Sequence, residues 1–173
     1  MTNSATIASD STGKNTEIKR AGKYLTFHLG KEEYGVGILK VKEIIGIMEI
    51  TQVPNMPHYA KGVVNLRGKV IPIIDLRDKF SMAEKEYDTR TCIIVVETKD
   101  HGGAAAVIGI VVDEVSEVRH LTEKEIEPPP DFGVSNQNSN VLGMAKQQGK
   151  VIILLDIDRV LTAEEMFALT ETA

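Results

Sequence analysis

Tryptophan is absent from this 173-residue chain and aromatic residues make up only 5% of it, so any core must be aliphatic. One cysteine, Cys92, leaves no partner for an internal disulfide. Its setting, Thr-Cys-Ile-Ile-Val-Val, reads as a buried strand, which favours a small core hydrophobe over a reactive thiol. No apolar run approaches the roughly 18–20 residues that cross a bilayer. The opening Met-Thr-Asn-Ser-Ala-Thr has neither the basic nor the apolar part of a secretory signal. The expectation is a cytoplasmic protein without direct membrane contact. Surplus positive charge is missing as well: 20 Lys and Arg face 25 Asp and Glu, for a formal net charge of −5. Broad nucleic-acid binding needs cations that displace phosphate counterions, and this balance argues against it.

The signatures of catalysis are equally sparse. His28, His58, His101 and His120 lie far apart, none at metal-ligand spacing, so no metal is expected. Gly35-Val-Gly37 is followed by Lys40 where a dinucleotide fingerprint needs its third glycine. From Gly62 to Gly68-Lys69 the spacing is one residue too long for a P-loop, and Val70 stands where Ser or Thr must hold magnesium. Pairs such as Asp113-Glu114 and Glu84/Glu86 read as solvated loop charges. The chain is not expected to be an enzyme or to carry a cofactor.

What the chain does contain is a repeat. Residues 60–76 are echoed by 141–157 at an offset of 81, so that Gly62/Gly143, Gly68/Gly149, Lys69/Lys150, Val70/Val151, Ile71/Ile152 and Asp75/Asp156 coincide. One supersecondary unit has been built twice. Asp75 and Asp156, at equivalent places, read as caps of the turns that follow. Asn65-Leu66-Arg67 occurs in the first copy only.

Around the repeat, residues 1–20 are polar and charged and read as a disordered tail. Tyr24–Leu29 and Glu33–Val36 read as a hairpin. From Gly37 to Gly46, Ile38, Val41, Ile44 and Ile45 fall at helical spacing, which predicts a short amphipathic helix closed by Gly46. Strands 62–66 and 69–76 flank a tight turn at Arg67-Gly68, with Pro72 at an edge or bulge. Residues 80–90 read as a linker. Strands resume at 91–97, 106–112 and 115–119. A capping box of Thr122 with Glu125 starts a single helical turn, stopped by three prolines at 128–130. A second box, Thr162 with Glu165, opens a terminal helix over about 163–171. Short strands spaced by turns, twice over, predict a mainly β fold with two small five-stranded barrels, minor helix and a C-terminal helix. The expected division is 21–85 for the first barrel, 86–156 for the second and 157–173 for the terminal helix.

Residues that break the repeat symmetry are the best functional candidates. Arg67, on a hairpin tip, has a planar fork suited to a carboxylate or to backbone carbonyls. An Arg satisfied by the protein's own loops reads equally well.

Asn65-Leu66-Arg67-Gly68, then Val-Ile-Pro-Ile-Ile-Asp-Leu-Arg77, preceded by Glu-Glu-Tyr-Gly-Val-Gly-Ile-Leu-Lys-Val-Lys-Glu-Ile, resembles the CheW family of chemotaxis coupling proteins. The resemblance runs collinearly from about Lys23 onward and includes Val-Val-Asp-Glu-Val at 111–115. It implies two SH3-like five-stranded barrels and no catalysis. It also implies an adaptor between the cytoplasmic tips of chemoreceptors and the regulatory domain of the histidine kinase CheA. Such a protein is a monomer in isolation and is recruited to receptor–kinase arrays at the membrane. Carried over by position, receptor binding falls on Val41, Glu43 and Arg67, with Asn65, Leu66 and Gly68 as the supporting hairpin. Val41 also has a core assignment from the helical pattern. The other readings are a sensor or enzyme that takes a small ligand in the cleft between the barrels, and an SH3-like nucleic-acid module, which the acidic balance opposes.

Overall fold

The computed structural model describes residues 20–99, 103–129 and 140–161. The expected tail, most of the Asn/Ser/Gln loop and the terminal helix lie outside them. The described residues form eleven strands: β1 (Gly22–Leu29), β2 (Glu32–Gly37), β3 (Val41–Gly46), β4 (Ala60–Leu66), β5 (Lys69–Asp75), β6 (Cys92–Lys99), β7 (Ala105–Val112), β8 (Glu114–Leu121), β9 (Ile126–Glu127), β10 (Val141–Gln147) and β11 (Lys150–Leu155). They make two sheets. The first runs β3-β6-β7-β5-β4 and the second β8-β1-β2-β11-β10-β9.

Both sheets curl. The outermost strands of the second, β8 and β9, are joined by residues 122–125 alone, including the 3-10 turn Glu123–Glu125. Six strands laid flat would separate those edges by about 24 Å, more than a 3-10 turn covers. In the first sheet, Thr51 exchanges two backbone hydrogen bonds with Val63 of β4, at 2.8 and 2.9 Å, which folds the segment after β3 onto the far edge. The repeat glycines stand at these closures. A Cβ on Gly62 would lie 2.1 Å from the Thr51 carbonyl oxygen, and one on Gly143 2.7 Å from that of Glu127. Only a residue without a side chain lets the backbones meet so closely.

The strands do not divide between the sheets at residue 85. Four pairings join the two sequence halves: β1 with β8, β2 with β11, β3 with β6, and β5 with β7. Each sheet takes a hairpin from one half, β1–β2 or β6–β7, and the remaining strands from the other. Connection length explains the exchange. The outer edge of β2 is taken by β11; beside β1, where β8 packs, β3 would have to run parallel to β2, and a parallel connection needs a dozen or more residues. Only the 3-10 turn Ile38–Lys40 separates β2 from β3, and only Asp113 separates β7 from β8. The chain therefore continues straight into the other sheet.

Three apolar clusters follow. Tyr24, Leu121, Ile126, Ala145, Ile152 and Leu154 fill the second sheet's interior. Val64, Ile71, Ile73, Ile93, Val95 and Val111 fill the first. The largest cluster lies between the sheets and draws Phe27, Leu29, Ile94, Ile110 and Leu155 from both. The exchanged hairpins are covered on both faces, which is why β6 and β7 are continuous apolar runs rather than alternating ones.

Several local expectations need revision. Residues 37–46 are not a helix; a 3-10 turn leads into β3, whose burial alternates residue by residue. Val, Ile and Ile are stiff, β-favouring side chains, and β6 supplies the paired backbone. Gly46 ends a strand and caps nothing. Pro72 lies on β5 between two neighbours, not on an edge, but just before Ile73, where pairing with β7 begins. Asp75 does cap the turn after it, accepting from the Arg77 and Asp78 N–H groups, and Asp156 accepts from Asp158 N–H.

Phe27 is fully buried between the sheets and stacks on Tyr34 at 5.9 Å. Phe27→Ala should lower stability by about 3–5 kcal/mol. In urea, far-UV circular dichroism and tyrosine fluorescence should still report one coincident transition; two separate transitions would mean that the sheets do not share this core.

Candidate functional site

Of the candidate residues, the fold brings two together. Leu66 pairs with Lys69, leaving Arg67-Gly68 as a two-residue turn with φ of 54° and 87°. Positive φ at both positions is the type I′ geometry that suits the right-handed twist of a hairpin. The Asn65 side chain accepts a hydrogen bond from Gly68 N–H at 2.8 Å and fixes the tip. Glu43 lies on β3, 24 residues earlier, and reaches this tip because curling brings β3 towards β4. The Arg67 guanidinium donates to the Glu43 carboxylate. Arg67 keeps 69% of its side-chain surface in solvent, against 30% for Glu43, so most of its donors face outward.

Val41 does not join the pair on equal terms. It is half-buried and packs against the cluster between the sheets. A register shift between Val41 and Glu43 separates the two on β3. Leu66 is half-buried too and packs on the first sheet's interior.

The second repeat lacks this site. It has the same turn, Gln148-Gly149 at φ of 55° and 78°, but Gln replaces Arg, and Lys146 replaces the capping Asn. By strand register Glu117 is the counterpart of Glu43 and pairs instead with Arg119 at 2.9 Å. Arg119 also donates to the Gln147 side-chain carbonyl at 2.8 Å and approaches buried Glu33 at 3.7 Å. That end of the second barrel is a polar cluster where the first has Ile45, Leu66 and Val107.

Sequence reasoning missed the exposed aliphatics. Leu39, on the 3-10 turn, is 97% exposed. Ile44 and Val70 on the first sheet, and Val118 and Val151 on the second, also face solvent. Val70 and Val151 are repeat partners, and Ile44 and Val118 match by register, so each sheet carries a similar apolar pair. The signal available beforehand was the Lys-Val that opens both repeat strands. Ile44 was hidden by the helical reading.

The space between the barrels, where a small ligand would have to sit, is occupied by the largest core cluster. A cavity of about 490 Å³ does lie elsewhere, lined by Lys61, Asp75, Glu84, Lys85, Glu86 and Tyr87. Both of its lysines, with Asp75 and Tyr87, are already engaged. Lys61 pairs with Asp78 at 2.5 Å and Lys85 with Asp88 at 2.9 Å. Lys85 and the Arg90 N–H hold the Asp88 carboxyl down at about 2. Tyr87 donates to Asp75 at 2.8 Å, and burial together with that carboxylate pushes its hydroxyl well above the usual phenol range. Among the described residues no group of His, Cys, Asp and Glu is placed to hold a metal ion, and no helix is long and apolar enough to cross a membrane.

Comparison with known proteins gives this geometry a context. The model of the CheW-like domain matches residues 23–165. A chemotaxis protein CheW of Klebsiella aerogenes is 43% identical over 159 residues, covering 89% of this chain and 93% of the relative. One from Rhizobium meliloti is 35% identical, covering 86% and 97%. The crystal structure of the scaffolding protein TtCheW from Thermoanaerobacter tengcongensis superposes with a TM-score of 0.73 at 34% identity, covering 84% of this chain and 97% of that one.

An exposed ion pair contributes at most about 1 kcal/mol, and Asn-Gly suits a type I′ turn better than Arg-Gly. Arg67→Asn should therefore stay within about 1 kcal/mol of wild type in urea unfolding. A larger loss would make Arg67 a structural residue.

Proposed function

This chain belongs to the CheW-like domain family, and we propose that it is a chemotaxis adaptor, coupling the cytoplasmic tips of transmembrane chemoreceptors to the histidine kinase CheA without catalysing a reaction. The observation that carries this reading is the Glu43–Arg67 pair on a rigid hairpin tip of the first barrel, absent from the second. A duplicated scaffold that differs at one exposed, charged tip has the asymmetry an adaptor needs to tell two partners apart.

In this reading the receptor's helical tip lies against β3 and the β4–β5 turn. Arg67 uses its outward donors on a receptor carboxylate or carbonyl, Glu43 holds the fork in place, and Val41 adds a partly exposed apolar contact. Asn65, Leu66 and Gly68 fix the turn. Rim charges of this kind set register and association rate, while apolar anchors supply affinity. The kinase regulatory domain takes the second barrel's apolar face around Val118 and Val151. The protein works in the cytoplasm as a monomer and is recruited to receptor–kinase arrays at the membrane, with no metal, cofactor or nucleic acid. The small-ligand reading is not favoured, because the seam it requires is packed with side chains.

Titration calorimetry against a receptor-tip fragment and, separately, against the kinase regulatory domain tests the division of surfaces. Arg67→Glu should weaken receptor binding by at least about tenfold and leave kinase binding near wild type. Val151→Asp should do the reverse. Receptor affinity that survives Arg67→Glu would remove the role assigned to the hairpin tip. If wild type, folded, binds neither partner, the coupling function itself fails.

A further inference from the structure

The same four strand pairings that hold the two halves together are joined by one covalent connection, residues 76–91. It leaves β5 at Asp75 and enters β6 at Cys92, positions that flank Val111 and Val112 of β7, the strand lying between them. Its ends are thus about two strand spacings, or ~10 Å, apart. Leu76 is fully buried, and Phe80 and Met82 pack against the core between the sheets; the nine residues 83–91 that follow span up to about 30 Å when extended. The connection is far longer than the closed chain requires, and nothing in its length obliges a half to pair with the other half of its own chain.

What closes it is a small set of tethers. Tyr87 donates to Asp75 at 2.8 Å, joining the end of the connection to its beginning. Arg77 donates to the Ala83 carbonyl at 3.0 Å and to Asp113 at 2.6 Å. The Met82 N–H donates to the Arg77 carbonyl at 2.7 Å. Asp113, the lone residue between β7 and β8, also accepts from Gly30 N–H at 2.7 Å, so Arg77 clasps the connection onto the crossing between the sheets.

We propose that the chain has a second associated form in which two copies exchange halves. Residues 22–75 of each copy pair with residues 92–155 of the other, and the two 76–91 segments bridge the units. The partner is a second copy of this chain, and the surface it uses is the set of inter-half strand edges and the seam core. Every strand pairing is retained, so the balance is set by closure of the connection. Once released from its tethers, a link of this length presents its own half at an effective concentration in the millimolar range, which is the protein concentration at which exchange competes. Tyr87 and Arg77 raise that threshold by folding the connection back on itself. The exchanged form carries two Glu43–Arg67 tips on one assembly.

The test is refolding of the full chain from urea at about 5 μM and at about 1 mM, the latter matching the effective concentration, followed by size-exclusion chromatography with light scattering. Monomer alone is expected at the low concentration and a trapped dimer fraction at the high one. A variant with a protease site at residues 83–86 separates exchange from surface contact. Cutting the connection in an exchanged dimer leaves units of single-chain mass, because the connections are all that join them. A dimer that survives the cut, or no dimer at the high concentration, overturns the proposal. Tyr87→Phe, and Tyr87→Phe with Arg77→Ala, should raise the dimer fraction at least twofold; circular dichroism confirms that each has refolded. An unchanged fraction in both would remove the role given to the tethers.

Discussion

The shortness of two connections governs this molecule. Three residues after β2 and one after β7 leave no length for the chain to turn back and lie parallel to the strand it has just made. With β11 on the outer edge of β2 and β5 on that of β7, each hairpin is committed to one sheet and the strand that follows to the other. From that follow the double-sided burial of β1, β2, β6 and β7, the single large core between the sheets, and the positions of both repeat glycines at closures. The duplicated unit is legible as two repeats, but its stability belongs to neither. Two strands of each sheet are contributed by the opposite half of the chain.

Much of this was visible in the sequence. The 81-residue offset located both β4–β5 and β10–β11 with their turns, because a tight turn between apolar runs needs glycine at a defined place. Asp75 and Asp156 were recognised as caps because a carboxylate ahead of a helical turn has few better uses. The exchange was not legible, since nothing in the local pattern of β3 says whether β1 or β6 will supply its neighbour. The misreading of 37–46 has a similar origin. Ile38, Val41, Ile44 and Ile45 satisfy a helical period by coincidence, while the β-branched character of the segment and the bulge after Val41 obey the strand. Without knowledge of the partner strand, spacing alone favoured the wrong period.

Arg67 was legible as the residue that breaks the repeat, whereas Val41 and Glu43 were legible only through resemblance. Glu43 and Arg67 are 24 residues apart, and neither has a pattern that announces the other. The structure adds a physical reason to take the pair together. Arg67 occupies a left-handed backbone position that Asn or Gly fills more comfortably, and it keeps most of its guanidinium in solvent. Neither the turn nor the core requires an arginine at this position. The counterpart Gln148 sits at nearly the same φ without an acidic partner, so the two tips are alike in shape and unlike in charge.

The double-sided hairpins have a consequence best put in genetic terms. A lesion at a buried position of β1, β2, β6 or β7 touches an interior or the seam that both halves share, so its effect falls on the whole fold rather than on one surface. Lesions confined to the β4–β5 and β10–β11 tips touch one barrel apiece and are free to separate one interaction from another. On the proposed division of surfaces, alleles that lose a single partner fall on β3, β8 and the two repeat hairpins, and leave the exchanged hairpins empty.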